Sequence, residues 1–129
     1  MINVVAAVIT DEHGKILIAQ RNLNKSQGGL WEFPGGKIEP NETKEEAIVR
    51  EIKEELNMEI KVEYYIGEKS FTYPTKEINL IALKCSKVSK NYEVLEHENI
   101  AWITKEEINK YEFAPADIFI VESIKSLNK

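Results

Sequence analysis

Residues 36–58, GKIEPNETKEEAIVREIKEELNM, constrain this chain more than any other stretch. Just ahead of them Pro34-Gly35-Gly36 predicts a break in regular structure, with main-chain groups free to turn sharply and approach a ligand. Thr43 followed three residues later by Glu46 predicts a capping box and a helix from Lys44. Along that helix Ile48, Ile52 and Leu56 recur every four residues and supply one apolar stripe for burial. Glu51, Glu54 and Glu55 stand at i, i+3 and i+4, so their side chains leave from neighbouring positions close to the helix end. Carboxylates crowded in this way need screening by water or neutralisation by cations. Hard divalent cations with oxygen ligands answer that need, and Mg²⁺ fits best. A Glu-rich helix by itself is ordinarily a solvated face, so the spacing of the fixed positions has to decide.

Gly36, Glu42, Arg50, Glu51, Ile52, Glu54, Glu55 and Met58 fall where the Nudix signature has Gly, five residues, Glu, seven residues, then Arg-Glu-apolar-x-Glu-Glu-x-Gly-apolar. The chain resembles the Nudix hydrolase family in every polar position of that signature. It departs at Asn57, where the family usually has Gly, and Asn is the next most tolerant residue of the left-handed conformation that ends a helix. The resemblance implies the α+β Nudix fold, a mixed β-sheet sandwiched between α-helices, as one domain over residues 1–129. It also implies Mg²⁺, with Mn²⁺ as a substitute, held by Glu51, Glu54, Glu55 and the Gly35 carbonyl. Arg50 is expected to pair with Glu42, hold the helix start against the glycine turn and offset its acidic neighbours, and so to belong with the catalytic set.

The longer run LIAQRNLNKSQGGLWEFPGGKIEPNE, residues 17–42, is similar to the MutT-like branch of that family. By resemblance Arg21 contacts the nucleotide and Phe33 helps form the base pocket; read without it, they are a surface Arg and a core Phe. In the same branch a loop Glu about six residues before a Trp approaches the metals from across the site as ligand or base. Glu96, ahead of Trp102, holds that place, with Glu98 as its rival. His97 between them is read as a proton shuttle or, more plainly, as polar surface, and polar surface is the expectation. Asp117, in FAPAD, lies where MutT-like enzymes place an Asn or Asp to read the base; a helix N-terminal Asp favoured by the dipole is the plainer reading.

The rest of the chain bounds these expectations. With 129 residues, 43% hydrophobic and 30% charged, it has the balance of an ordinary globular domain. A net charge of −5 argues against a nucleic-acid polymer as partner but permits a local basic patch for phosphates. Cys85 is alone, so no intrachain disulfide forms; a reducing setting and a packing role are expected. MINVVAAVIT is too short and lacks the positive region of a secretory signal, and no stretch reaches transmembrane length. These point to a cytoplasmic protein without a membrane partner, monomer or homodimer. Strands are expected at 3–10 and 15–20 as a hairpin, at 59–65, 68–73 and 78–88, with a loop at 22–29 and a turn at Pro74-Thr75. Thr104 should cap a brief helix, and a closing helix over 116–127 should turn Ile120, Ile124 and Leu127 inward.

MutT-like relatives split a nucleoside triphosphate at the β-phosphorus into a nucleoside monophosphate and pyrophosphate, and the resemblance implies that activity here. An ionised Asp117 only accepts hydrogen bonds, so the base should offer donors, as cytosine N4 and guanine N1 and N2 do. Oxidised guanine nucleotides such as 8-oxo-dGTP and CTP-type nucleotides both remain open, the more so because a buried, protonated Asp also donates. Two rival readings are another nucleoside diphosphate-X substrate, such as a nucleotide sugar, ADP-ribose or a dinucleoside polyphosphate, and a silent nucleotide-binding Nudix domain. The first lacks the extra motifs of those branches; the second has no need of crowded acids. An acidic interaction helix leaves Pro34-Gly35-Gly36 unexplained.

Overall fold

A computed structural model describes residues 1–25 and 27–126. Its central strand is β1, Ile2–Thr10, which runs parallel to β6, Lys76–Lys87, in register from Ile2↔Ile78 to Thr10↔Ser86. Alternate β1 residues enter different cores. Val5, Ala7 and Ile9 pack with Ile48, Ile52 and Leu56 on one face, while Ala6 and Val8 pack with Ile120, Val121 and Ile124 on the other. A strand buried on both faces has no polar positions to alternate with, which is why VVAAVI is continuous. Cys85 is wholly buried among the first of these clusters, as its packing role requires. The expected mixed sheet between helices is therefore present.

β5, Ile60–Tyr73, pairs antiparallel with β6 through the Pro74-Thr75 turn. It is one strand where the sequence suggested two. Irregularities in register between Val62 and Tyr64 and between Tyr65 and Gly67 reset the side-chain alternation, so the period-two signal is lost although the ladder continues.

β2, Ile16–Gln20, meets β1 only at Thr10↔Ile16 and then diverges from it, pairing along its length with β7, Asn99–Ile103. Residues 31–37 enter the gap, as β3, Trp31–Glu32, on β2 and β4, Gly35–Lys37, on β1. The expected break at Pro34-Gly35-Gly36 is present only at Phe33-Pro34, a bend between β3 and β4, and is corrected at both glycines, which are strand residues. They serve close approach instead of a sharp turn. A Cβ on Gly35 would collide with the Val5 carbonyl, and one on Gly36 would stand 2.5 and 2.6 Å from the Glu51 carboxylate oxygens.

Helix α1, Lys44–Leu56, carries the reciprocal Thr43–Glu46 capping box, and its Ile48, Ile52 and Leu56 are fully buried. Asn57 closes it in the left-handed conformation at φ 49°, ψ 42°, the role anticipated for a residue in the Gly position. Lys105–Lys110 is the brief 3-10 helix after Thr104. The closing helix α2 is Ile118–Ser126, preceded by a 3-10 turn, Pro115–Asp117, so it starts later than expected and Asp117 lies in the turn. Ile120 and Ile124 face inward, while Leu127 lies outside the described residues. Among the described residues no helix is long and apolar enough to cross a membrane.

Candidate active site

The divergence of β1 and β2 opens a cleft of about 730 Å³ reaching from Glu51, Glu54 and Glu55 on α1 to Phe33 and Asp117 beside α2. The acids of one wall are organised by Arg50. Its Nε and Nη2 donate to the two Glu42 oxygens at 2.7 and 3.0 Å, and its Nη1 to Glu51 Oε2 at 3.0 Å and Glu54 Oε1 at 3.3 Å. The guanidinium beside it pulls Glu42 down to about 2, with the Glu39 N–H adding to the effect. Nη2 also donates to the Lys37 carbonyl at 3.0 Å, fixing α1 to β4. Arg50 does not itself line the cleft. It acts as a clamp on residues that do.

Glu55 differs from its neighbours. Its Oε1 is buried with no hydrogen-bond partner, and burial, followed by the charge of Glu51 and then of Glu32 and Glu96, raises its pKa well above the carboxylate range. Leaving such an acceptor unsatisfied costs about 1–3 kcal/mol. No three acidic or imidazole side chains among the described residues are already gathered into a cage for a metal ion. The donor set nevertheless fits a hard divalent cation. It offers an orphaned carboxylate oxygen, a second carboxylate whose other oxygen Arg50 leaves free, and main-chain oxygen nearby. Ala7 N–H donates to the Pro34 carbonyl and Ile38 N–H to that of Asn3, so in the alternating ladder the Gly36 groups face β1 and those of Gly35 face away, as Lys37 does toward Arg50.

Across the cleft Glu96 lines the same space, and its charge is felt at Glu55; Glu98 does not line it. His97 departs from expectation. Its side chain is only 6% exposed, and its Nε2 lies 2.9 Å from Glu32 Oε2, whose other oxygen accepts from Arg21 Nη1 at 2.9 Å. Sequence reasoning missed Glu32. An acid between Trp and Phe gives no periodic signal, and its role appears only when β3 brings it against β2 and the loop before β7.

At the far end Asp117 Oδ2 accepts from the Phe33 N–H at 2.9 Å. Burial, reinforced by Glu32, pushes the Asp117 carboxyl up to about 8, against the pull of that N–H and of Arg21. Phe33 is at once core and wall. It is 3% exposed and stacks on Phe113 at 5.3 Å, yet borders the cleft. Tyr73 stands beside the pair, its hydroxyl accepting from Ala116 N–H at 3.1 Å. Lys25, Lys37 and Lys76 also border the opening.

Comparison with known proteins identifies the family. A NUDIX domain model matches residues 5–123. The chain is 41% identical over 127 residues to the CTP pyrophosphohydrolase of Escherichia coli (strain K12), covering 98% of this chain and 93% of that protein. It is 40% identical over 79 residues to the 8-oxo-dGTP diphosphatase of Proteus vulgaris, covering 61% of this chain and 70% of the other. Among solved structures, the MutT protein from Methanosarcina mazei Go1 superposes with a TM-score of 0.87 at 29% identity, covering 99% of this chain and 95% of that one. A match that takes in nearly the whole sheet and both helices assigns the molecule: the chain belongs to the Nudix hydrolase family and is similar to its MutT-like members.

Proposed function

We propose that the protein is a divalent-metal-dependent nucleoside triphosphate pyrophosphohydrolase, converting a (deoxy)nucleoside triphosphate and water to the monophosphate and pyrophosphate, with the whole chain acting as one Nudix domain in the cytoplasm. The observation that carries this reading is the buried, unpartnered Oε1 of Glu55, which lines, with Glu51 and Glu96, a cleft whose other end is Phe33 and Asp117. Nudix hydrolases generally use a divalent metal. Here Glu51, Glu55 and the Gly35 carbonyl would hold Mg²⁺, with Glu54 and Glu96 completing the set. When bound, Mg²⁺ supplies charge neutralisation for the polyphosphate and makes water more acidic.

The chain's own residues divide the remaining work. Lys25, Lys37 and Lys76 at the cleft border, in a protein of net charge −5, draw the phosphate tail to this opening and not to the surface at large. Glu54 and Glu96, the two exposed acids facing it, are placed to take the proton as the water oxygen bonds to the β-phosphorus. The bond from that phosphorus to the α–β bridging oxygen breaks, and the oxygen leaves with the nucleoside monophosphate. Arg50 holds Glu51 and Glu54 through this step without touching substrate.

For the base, Asp117 raised to about 8 is largely protonated at neutral pH and offers a donor as well as an acceptor. That makes it a weaker filter than an ionised carboxylate, closer to an Asn. The relatives named for CTP and for 8-oxo-dGTP support both cytosine and oxidised guanine as candidates. Pyrophosphate release from a panel of ordinary and oxidised triphosphates, with Mg²⁺ and with chelator, tests the proposal. Release from at least one of these bases only with Mg²⁺ is expected, and Asp117→Ala should reorder the panel by kcat/KM while leaving the metal requirement intact. Nucleotide binding without any turnover would instead identify a silent binding domain.

A further inference from the structure

The segment that presents Glu96 is held in an unusual way. Residues 93–98 are exposed at every position except His97, whose side chain alone turns inward. On one side of Glu96, the Glu93 and Leu95 N–H groups donate to the Leu56 and Glu55 carbonyls at 2.7 and 3.0 Å, so the loop satisfies the end of α1. On the other side Glu98 N–H donates to the Gln20 carbonyl at 2.9 Å. These anchors are main-chain bonds that any sequence makes. The specific anchors are Asn57 Nδ2 on Glu93 Oε1, at 2.9 Å, Asn22 Nδ2 on the Glu96 carbonyl, at 2.6 Å, and, nearest the Glu96 side chain on its other flank, His97 on Glu32.

The chemistry of the second fixes its direction. Glu32 is held ionised by His97 and Arg21 against the cost of its burial and only accepts, so His97 donates from Nε2. His97 Nδ1 is then left buried with no partner. A side chain kept only to fill space would not carry that orphan; an apolar ring would serve better.

We propose that His97 is the positioning residue of the loop acid: its Nε2–H bond to Glu32 locks residues 95–98 onto β3, so that the Glu96 carboxylate stays opposite Glu51 and Glu55. This deepens the reading of Glu96 as a metal-facing acid and rests on it. The bond also makes Glu32 a junction, tying the loop to Arg21, the residue that directly follows β2.

Two variants separate donor from filler. His97→Gln keeps an N–H near the Nε2 position without the ring, whereas His97→Phe keeps the ring without the donor. Mn²⁺ affinity, measured by titration calorimetry without nucleotide, and hydrogen exchange at the Leu95 and Glu98 amides are the readouts, with a thermal melt to confirm folding. His97→Phe should weaken Mn²⁺ binding by about tenfold, the usual scale for loss of a group that orients a ligand, and speed exchange at both amides, with His97→Gln restoring most of each. Wild-type affinity and exchange in His97→Phe, with impairment in His97→Gln, would show a filler and overturn the proposal. Glu96→Gln run in parallel tests the underlying reading. If it leaves Mn²⁺ affinity unchanged, Glu96 is not a metal-facing acid and the role assigned to His97 falls with it; exchange slowed by His97 would then report a structural tie alone.

Discussion

Glu55 and Asp117 are two acids at opposite ends of one cleft, and burial lifts both above the carboxylate range with help from the same neighbour, Glu32. Their surroundings differ in one respect that decides their roles. Asp117 has a partner, the Phe33 N–H, and its remaining need is met by keeping a proton. Glu55 has an oxygen with none, and three further acids press on it. A proton relieves the first site. In the proposed function the second takes more positive charge than a proton brings, so that a neutral reader and a cation holder would share a single opening.

The sharpest way to break the contrast is at Glu55. Glu55→Gln preserves shape and removes the charge, so kcat/KM for pyrophosphate release in Mg²⁺ should fall by roughly 10²–10³-fold. The melting temperature without metal should hold or rise, because a crowded buried acid has gone. Full Mg²⁺-dependent turnover in this variant would mean the two ends are not chemically different.

Asp117→Asn addresses the other end and reads stability. Asp117 titrates near 3.8 when unfolded and near 8 when folded, so the folded chain holds a proton that the unfolded chain releases between those values. The stabilisation from the neutral folded acid is complete below pH 4 and is lost as pH rises toward 8. Asn keeps an oxygen for the Phe33 N–H and does not titrate. Variant and wild type should match near pH 4, and the variant should gain steadily to an advantage of several kcal/mol at pH 8, because each tenfold difference in proton affinity between folded and unfolded chain is worth about 1.4 kcal/mol. Urea melts across that range measure it. Parallel curves would show that Asp117 is ionised in the fold and reads bases as a pure acceptor.

How much of this the sequence disclosed follows from the range of each signal. Thr43, Glu46, Ile48, Ile52 and Asn57 announce α1 because caps and stripes are set by neighbours three and four residues away. The Arg50–Glu42 pair was equally legible, because its partners are only 8 residues apart across the start of α1. Gly35 and Gly36 were visible as glycines but not as strand, since the reason for them, the Val5 carbonyl and the Glu51 carboxylate, lies elsewhere in the chain. Glu32 and His97, 65 residues apart, meet only because β3 fills the wedge between diverging strands. No local pattern encodes that meeting. The alternation of β5 failed for a physical reason too, its bulges shifting phase within one continuous ladder.

Glu32 permits the finest test, because its charge bears on both raised acids. Glu32→Gln should lower the folded pKa of Asp117 by removing a negative neighbour. Burial remains the larger cause, so the value should stay above 3.8. The effect is read in a cycle of wild type, Glu32→Gln, Asp117→Asn and the double variant, with the stability difference made by Asp117→Asn compared on each background across a range of about pH 4–8. That difference should still grow with pH on the Glu32→Gln background but level off earlier, ending smaller by about 1.4 kcal/mol for each tenfold loss of proton affinity at Asp117. An identical curve on both backgrounds would confine the influence of Glu32 to the metal-facing end and make the two acids electrostatically independent.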